Sequence, residues 1–310
     1  MNDWFKSLTG FEEKDFQTTK QHLKVQDKCL ISKVNQMRYY IGDFEVVALD
    51  ELRRRVSNSH IPPTSAPPSS VKVVYGNVKS LHQAKENNGT LFQVASQFNM
   101  LEMLNPHVTK FDGVTGYMFD NTQGPACAMS CGAATIYRNY FEDDIDGLKD
   151  VKLYLNRCID STESFWNMKN GYALCTDQGL KKIEQHVYDD GFKDEIRKRI
   201  KYGIHFDTLV TDTDTDTENR VSQIFCSALP ISYGIDSKHW EAFARIVLEA
   251  AYEATLLTAK LNPKSNIVYL TYLGGGVFGN NIEWIKDAIA YAVSKTKHLG
   301  LDIRIVEYKR

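Results

Sequence analysis

The sequence predicts an α/β fold, a three-layer α/β/α sandwich on a mixed sheet with an N-terminal extension, and three observations predict it. Strand-like and helix-like segments alternate from residue 71 to the C-terminal end, which calls for a sheet packed between helices. The run Asn266–Leu273 (NIVYLTYL) is almost continuously apolar, the pattern of a strand covered on both faces. Trp240, Phe243, Ile246, Val247, Ala250, Ala251, Ala254 and Leu257 recur at three- and four-residue spacing, one face of a long helix.

The elements follow in order. Residues 1–56 read as an N-terminal extension of two or three short elements, with an apolar run at Phe44–Leu49 and a charged stretch at Asp50–Arg55. Ser57–Ser70 holds four prolines and five serines in fourteen residues, a linker or wrapped arm that packs no core. Val71, Val73, Val74 and Tyr75, stopped by Gly76-Asn77, form a strand. Thr90–Ser96 is a second strand. Pro125–Phe141 is helical: proline is harmless in a first turn, and Ala126, Ala128, Ala133 and Ala134 permit close packing. Phe165–Met168 and Tyr172–Cys175 flank Lys169-Asn170-Gly171, a hairpin signal. Gln178–Val187 and Phe192–Ile200 are short helices. Asp207–Glu218 (DTLVTDTDTDTE) reads as a solvated acidic loop, with a cation site as its sharper alternative. Ser222–Pro230 is an apolar strand, Trp284–Ser294 a helix, and Leu301–Val306 a closing strand. The main domain is therefore residues 71–310, with an insertion near 142–219.

Composition narrows the function. Hydrophobic residues make up 43%, charged residues 25%, and the formal net charge is −2. A near-neutral balance gives no general attraction to nucleic acid or to an anionic membrane. A phosphate-bearing ligand must then be held locally. No run of about 18 apolar residues is present, and the first residues lack the pattern of a signal peptide. Six dispersed cysteines form no CxxC, as expected of reduced thiols in a cytoplasmic protein, and no metal or cofactor is expected.

The most informative motif is Gly274-Gly275-Gly276-Val277-Phe278-Gly279-Asn280, between the buried strand and a helix. Ligands of open α/β sheets sit beyond the carboxyl ends of strands. Glycines there let backbone N–H groups cradle an anion, and a helix N-terminus adds a favourable partial charge. The spacing is neither a Rossmann fingerprint nor a P-loop. A diphosphate bridged between two sugars fits better than a triphosphate, with Phe278 against a ribose or base. The plainer alternative is a tight turn with Phe278 plugging the core.

A second dense stretch holds Glu102, Asp112, Asp120, Asn121, Thr122, Gln123 and Gly124. Asp112 and Asp120 lie in loops punctuated by Gly and Pro. Paired carboxylates suit hydrolysis at an anomeric carbon, where one stabilises an oxocarbenium-like state and one deprotonates water. Phe111, Tyr117 and Phe119 would partly desolvate them. The bland alternative is surface acids that cap helices.

Strand, GGGVFGN, helix resembles the second diphosphate loop of macrodomains, and Gln223–Pro230 followed by His239–Leu261 is similar to the elements upstream of it. TLFQVASQFN resembles the strand ending in the macrodomain asparagine, which implies Asn99 near the terminal ribose. FDGVTGYMFDNTQGPACAMSCGAATIYRNYF resembles the signature of the MavL-like group of macrodomain ADP-ribosylhydrolases. That resemblance implies ADP-ribose as ligand and removal of ADP-ribose from arginine on a modified protein, with ubiquitin among the substrates. Asp112, Asp120 and Glu102 would be catalytic; Asn99, Gln123, Gly124 and residues 274–280 would bind ADP-ribose. Rival readings are a non-catalytic ADP-ribose reader, a hydrolase of another linkage, and a cysteine nucleophile from Cys127 or Cys131 with His107.

Overall fold

The computed structural model describes residues 3–59, 67–160, 163–212 and 218–308. The chain opens with short helices α1 (Trp4–Thr9) and α2 (Phe16–Gln21), then a three-stranded sheet of β1 (Leu23–Gln26), β2 (Cys29–Ser32) and β3 (Arg38–Tyr40). Strand β4 (Asp43–Ala48) and helix α3 (Leu49–Asn58) follow, then β5 (Ser70–Tyr75), α4 (Val78–Gln83) and β6 (Leu91–Ala95). Next come α5 (Gln123–Ser130), α6 (Gly132–Phe141), α7 (Lys149–Cys158), the hairpin β7 (Trp166–Lys169) and β8 (Tyr172–Cys175), and helices α8 (Asp177–Glu184) and α9 (Asp190–Arg197). Strands β9 (Lys201–Leu209) and β10 (Arg220–Cys226), helix α10 (Trp240–Leu261), β11 (Ile267–Leu270), α11 (Ile282–Thr296) and β12 (Asp302–Glu307) complete it.

The fold is the expected α/β sandwich on a mixed sheet. Seven strands run in the order β4-β9-β10-β6-β11-β12-β5. Only β9 runs against the others, pairing antiparallel with both β4 and β10, while the β10, β6, β11, β12 and β5 neighbours are parallel. One face packs on α3, α10 and α11 through a core that includes Leu49, Leu52, Phe243, Val247, Ile285 and Ile303. The opposite face packs Phe92, Val94, Val221 and Phe225 beneath α4, α5 and α6. Most residues of helix α10 are buried, with its charged Glu241, Arg245 and Glu249 among the exceptions. No helix among the described residues is long and apolar enough to cross a membrane.

Three boundaries differ from the sequence reading. β4 and α3, read as part of the extension, are built into the central sheet and its helical layer. The Asp43–Ala48 run pairs residue for residue with Lys201–Phe206. The helix expected over 125–141 breaks at Cys131, whose ψ is 54°. There Gly132 lies under Trp4 and Leu8, and a Cβ would come within 2.7–2.8 Å of them. Residues 201–206, which no pattern singled out, form the first part of β9. Part of the Pro/Ser stretch (60–66) and of the Thr/Asp loop (213–217) lies outside the described residues.

One feature of the sheet creates the site. β6 and β11 pair only at Leu91↔Val268 and Phe92↔Tyr269, and then separate. This leaves backbone groups of β6 facing a gap rather than a neighbouring strand. The Gln123 side chain fills that vacancy. Its Oε1 accepts from the Ala95 N–H at 2.8 Å, and its Nε2 donates to the Gln93 carbonyl at 2.8 Å. Buried backbone polar groups require such partners. Gln123→Ala should therefore cost about 1–3 kcal/mol for each group left unpaired, read as a lower denaturant midpoint. An unchanged midpoint would show that water replaces the amide at no cost.

Candidate active site

Beyond the carboxyl ends of β6, β10 and β11 lies a cleft of about 260 Å³. Its walls come from Ala95–Gln97, Glu102–Leu104, Asp120, Thr122–Pro125, Tyr172, Tyr233 and the glycine loop after β11. It adjoins a larger cavity of about 880 Å³ that shares Asp120, Thr122, Gln123 and Thr271 and reaches Gly76, Asn77 and Tyr308. Together the two cavities form a trough across the strand ends.

The glycine loop is shaped by its own backbone. Gly274 and Gly279 have φ of 74° and 73°, a region that side chains resist. A Cβ on Gly274 would come within 2.5 Å of the Ala228 side chain, and one on Gly279 would overlap Ser232 Oγ. The loop closes through Gly275 N–H to the Tyr272 carbonyl (3.0 Å), Gly279 N–H to the Gly276 carbonyl (3.0 Å) and Asn280 N–H to the Gly274 carbonyl (2.9 Å). Among the described residues, the N–H groups of Gly276, Val277 and Phe278 donate to no protein acceptor. Gly274, Gly276, Val277 and Phe278 line the cleft. Successive unpaired amides of this kind make an anion-binding concavity.

Other members of the motif brace it. Asn280 is 4% exposed and its Nδ2 donates to the Leu229 carbonyl at 2.8 Å. It therefore fastens the loop to the segment after β10 and does not line the cleft. The Phe278 ring lines the cleft and packs against Tyr172 (5.4 Å) and Tyr233 (5.9 Å). The N-terminus of α11 is capped by Asn281, which accepts from the Glu283 N–H.

Gly124 and Gln123 stand where α5 meets the end of β6. A Cβ on Gly124 would overlap the Ala95 carbonyl oxygen, so only glycine brings the helix this close. The structure brings two of the three singled-out acids to the cleft. Asp120 is half-buried, accepts from the Thr122 N–H at 2.8 Å, and lines both cavities. Its charge helps to raise the pKa of Tyr172 and Tyr233, although burial is the larger cause for both. Glu102 is 1% exposed, and both carboxylate oxygens accept from Arg138 Nη2 at 3.2 Å. Burial pushes its carboxyl up to about 7, against the pull of Arg138.

Asp112 and Asn99 lie away from this cleft. Asp112 is exposed and its Oδ2 accepts from the N–H and hydroxyl of Thr109, both at 2.8 Å, in a capping box. These bonds hold its carboxyl below the usual range. Asn99 accepts from the Leu101 N–H at 3.2 Å and lines a separate cavity of about 370 Å³. The chain turns sharply after β6, so Ser96 and Gln97 line the cleft in its place. The cysteine alternative also loses its pairing. Cys127 and Cys131 are fully buried, with thiols raised by burial, while His107 is exposed beside Lys169.

Sequence reasoning missed Tyr172, Tyr233 and Arg138. Only Arg138 left a signal, as a lone cation in the apolar helix GAATIYRNYF. Among the described residues no three His, Cys, Asp or Glu side chains cluster to hold a metal.

No family model matches this chain, and no curated protein sequence does. Among solved structures it is similar to a poly(ADP-ribose) glycohydrolase from Deinococcus radiodurans in complex with ADP-ribose, at 12% identity and a TM-score of 0.49 over 86% of this chain and 87% of that one. It is also similar to the poly(ADP-ribose) glycohydrolase from Thermomonospora curvata, at 11% identity and a TM-score of 0.47 over 94% and 89%.

The loop geometry makes its own prediction. Gly279→Ala forces a side chain to positive φ and against Ser232, and should destabilise by at least about 1 kcal/mol. A Cβ on Gly276 meets nothing within 4 Å, so Gly276→Ala should leave the melting temperature nearly unchanged. Equal melting temperatures for the two variants would contradict this loop conformation.

Proposed function

We propose that the protein binds ADP-ribose in this trough and hydrolyses the bond between its terminal ribose and a modified protein. The observation that carries the reading is the row of unpaired amides at Gly276–Phe278, set in the same cleft as two carboxylates. The amides suit a diphosphate. The smaller cleft takes the terminal ribose beside Asp120 and Glu102, and the larger cavity takes the adenosine. The resemblance of GGGVFGN to the second diphosphate loop of macrodomains, and of the Asp120 stretch to the MavL-like group, supports the same reading.

Asp120 is the group we assign to the reaction centre. It is half-buried and faces both cavities, so its negative charge meets an oxocarbenium-like carbon from a partly dried site. Glu102 lies deeper and adds a second negative charge when ionised. Charges fixed in a site of low polarity act more strongly than in water. The Asp120 carboxylate also favours a cationic leaving group, since a guanidinium pairs well with carboxylate. On that ground we infer an arginine linkage. ADP-ribosylated ubiquitin is the substrate suggested by the sequence resemblance.

Three outcomes test this. Gly276→Glu places a carboxylate where the diphosphate would lie, without disturbing the fold, and should abolish ADP-ribose binding by calorimetry; unchanged affinity would remove the assignment. Asp120→Ala should lower turnover of arginine-linked ADP-ribose by about a hundredfold or more with a much smaller loss of affinity, whereas Asp112→Ala should leave turnover near wild type. Full activity in folded Asp120→Ala, or binding without release from arginine-, serine- or glutamate-linked substrates, would make the protein a reader. The third outcome concerns pH. The raised Glu102 carboxyl is ionised only above about 7, so the rate should fall as pH drops through that value. Glu102→Gln should be slower and lack that limb. The same acid limb in Glu102→Gln would assign it to another group.

A further inference from the structure

The structure gives residues 3–41 a place beside the cleft. Phe5, Leu23, Leu30 and Ile41 are buried in a core of their own, together with Leu101, Met103, Val114, Tyr117, Tyr140 and Tyr172. Apart from Tyr140 of α6, the second group belongs to the segments that carry Glu102, precede Asp120 or wall the cleft. That core is separate from those on the two faces of the central sheet. The loop between β6 and α5 thus obtains its packing from the N-terminal segment.

A single carboxylate ties the two together. Glu13 follows α1 and accepts from the Val114 N–H with both oxygens at 2.9 Å, from the Thr115 N–H at 2.7 Å, and from the Tyr140 hydroxyl at 2.7 Å. Those amides open the short 3₁₀ turn Thr115–Phe119, which ends at Asp120. Gly113 has a φ of 80°, and a Cβ there would overlap the Glu13 carboxylate. The turn's one fully buried aromatic, Tyr117, accepts from the Glu102 N–H through its hydroxyl at 3.1 Å. A continuous set of contacts therefore runs from Glu13 through the turn to both acids of the cleft.

We propose that Glu13 is a positioning residue: the N-terminal segment is a strap whose Glu13 carboxylate clamps the Thr115–Phe119 turn and so fixes Asp120 relative to Glu102. This rests on the hydrolase reading above. The glycine loop is anchored separately, on Leu229 and Ser232, so loss of the clamp moves the acids and leaves the anion cradle in place. Misplacement by an ångström at a reacting centre is enough to slow it severely.

The test uses the full chain with Glu13→Ala and the conservative Glu13→Gln, whose amide oxygen still accepts from the turn. Glu13→Ala should lower kcat by about tenfold to a hundredfold, with KM and the Kd for ADP-ribose within about threefold of wild type. Glu13→Gln should recover most of that loss. Amide hydrogen exchange at residues 114–120 should quicken in Glu13→Ala and remain slow in Glu13→Gln. Wild-type kcat in folded Glu13→Ala overturns the proposal, whether or not exchange quickens. An equal fall in kcat and in ADP-ribose affinity also overturns it, because that marks general loosening. If wild-type protein releases ADP-ribose from no linkage, the hydrolase reading falls and exchange alone decides the strap. Faster exchange in Glu13→Ala then supports it, and unchanged exchange overturns it.

Discussion

The account depends on the parting of β6 and β11. Two parallel strands in the middle of a buried sheet would ordinarily pair along their whole length, because unpaired backbone groups are costly to bury. Here they stop pairing after Phe92 and Tyr269, and the Gln123 amide replaces the missing strand. The split lets the chain after β11 turn outward as a glycine loop and the chain after β6 turn inward toward Glu102. A side chain that mimics a strand is thus what opens a cleft in an otherwise continuous sheet.

The polar groups of the cleft sort by depth. At the mouth, Gly276 and Val277 are exposed, and the amides of Gly276–Phe278 have no protein partner among the described residues. Midway, Asp120 keeps part of its exposure. At the floor, Glu102 is sealed with Arg138, whose guanidinium carbon lies 3.8 Å from the Phe225 ring centroid. A buried ion pair contributes little net stability, since desolvation offsets attraction. The unpaired amides give one part of the trough an attraction for anions, and the Asp120 carboxylate gives another an attraction for cations. A phosphorylated sugar leaving a cationic group has that polarity.

Much of this was legible in the sequence, for identifiable reasons. The glycine loop announces itself because positive φ at Gly274 and Gly279 demands glycine, and because an apolar strand and a helix flank it. Gln123 and Gly124 stand out through the Pro125 helix start. Pattern does not separate Asp112 from Asp120, because capping acids and cleft acids share the same Gly- and Pro-punctuated loops; only the Thr109 bonds separate them. Asn99 falls outside the cleft because a position counted from a strand end takes no account of the turn that follows. Tyr172 and Tyr233 come from the hairpin and from the turn after β10, distant in sequence, and no local pattern records a wall made by tertiary approach. The short strand β4 carries little periodicity of its own, and its pairing with β9 is a long-range fact.

The central claim is that the amides of Gly276, Val277 and Phe278 hold the diphosphate. The most direct measurement is an amide-resolved NMR titration of the full chain with ADP-ribose, with ribose 5-phosphate and free adenosine as comparisons. The account predicts that ADP-ribose produces the largest downfield amide-proton shifts at those three positions, that ribose 5-phosphate reproduces part of them, and that adenosine leaves them unmoved. Saturable ADP-ribose binding that leaves those three amides unshifted, or no binding at all, would contradict it.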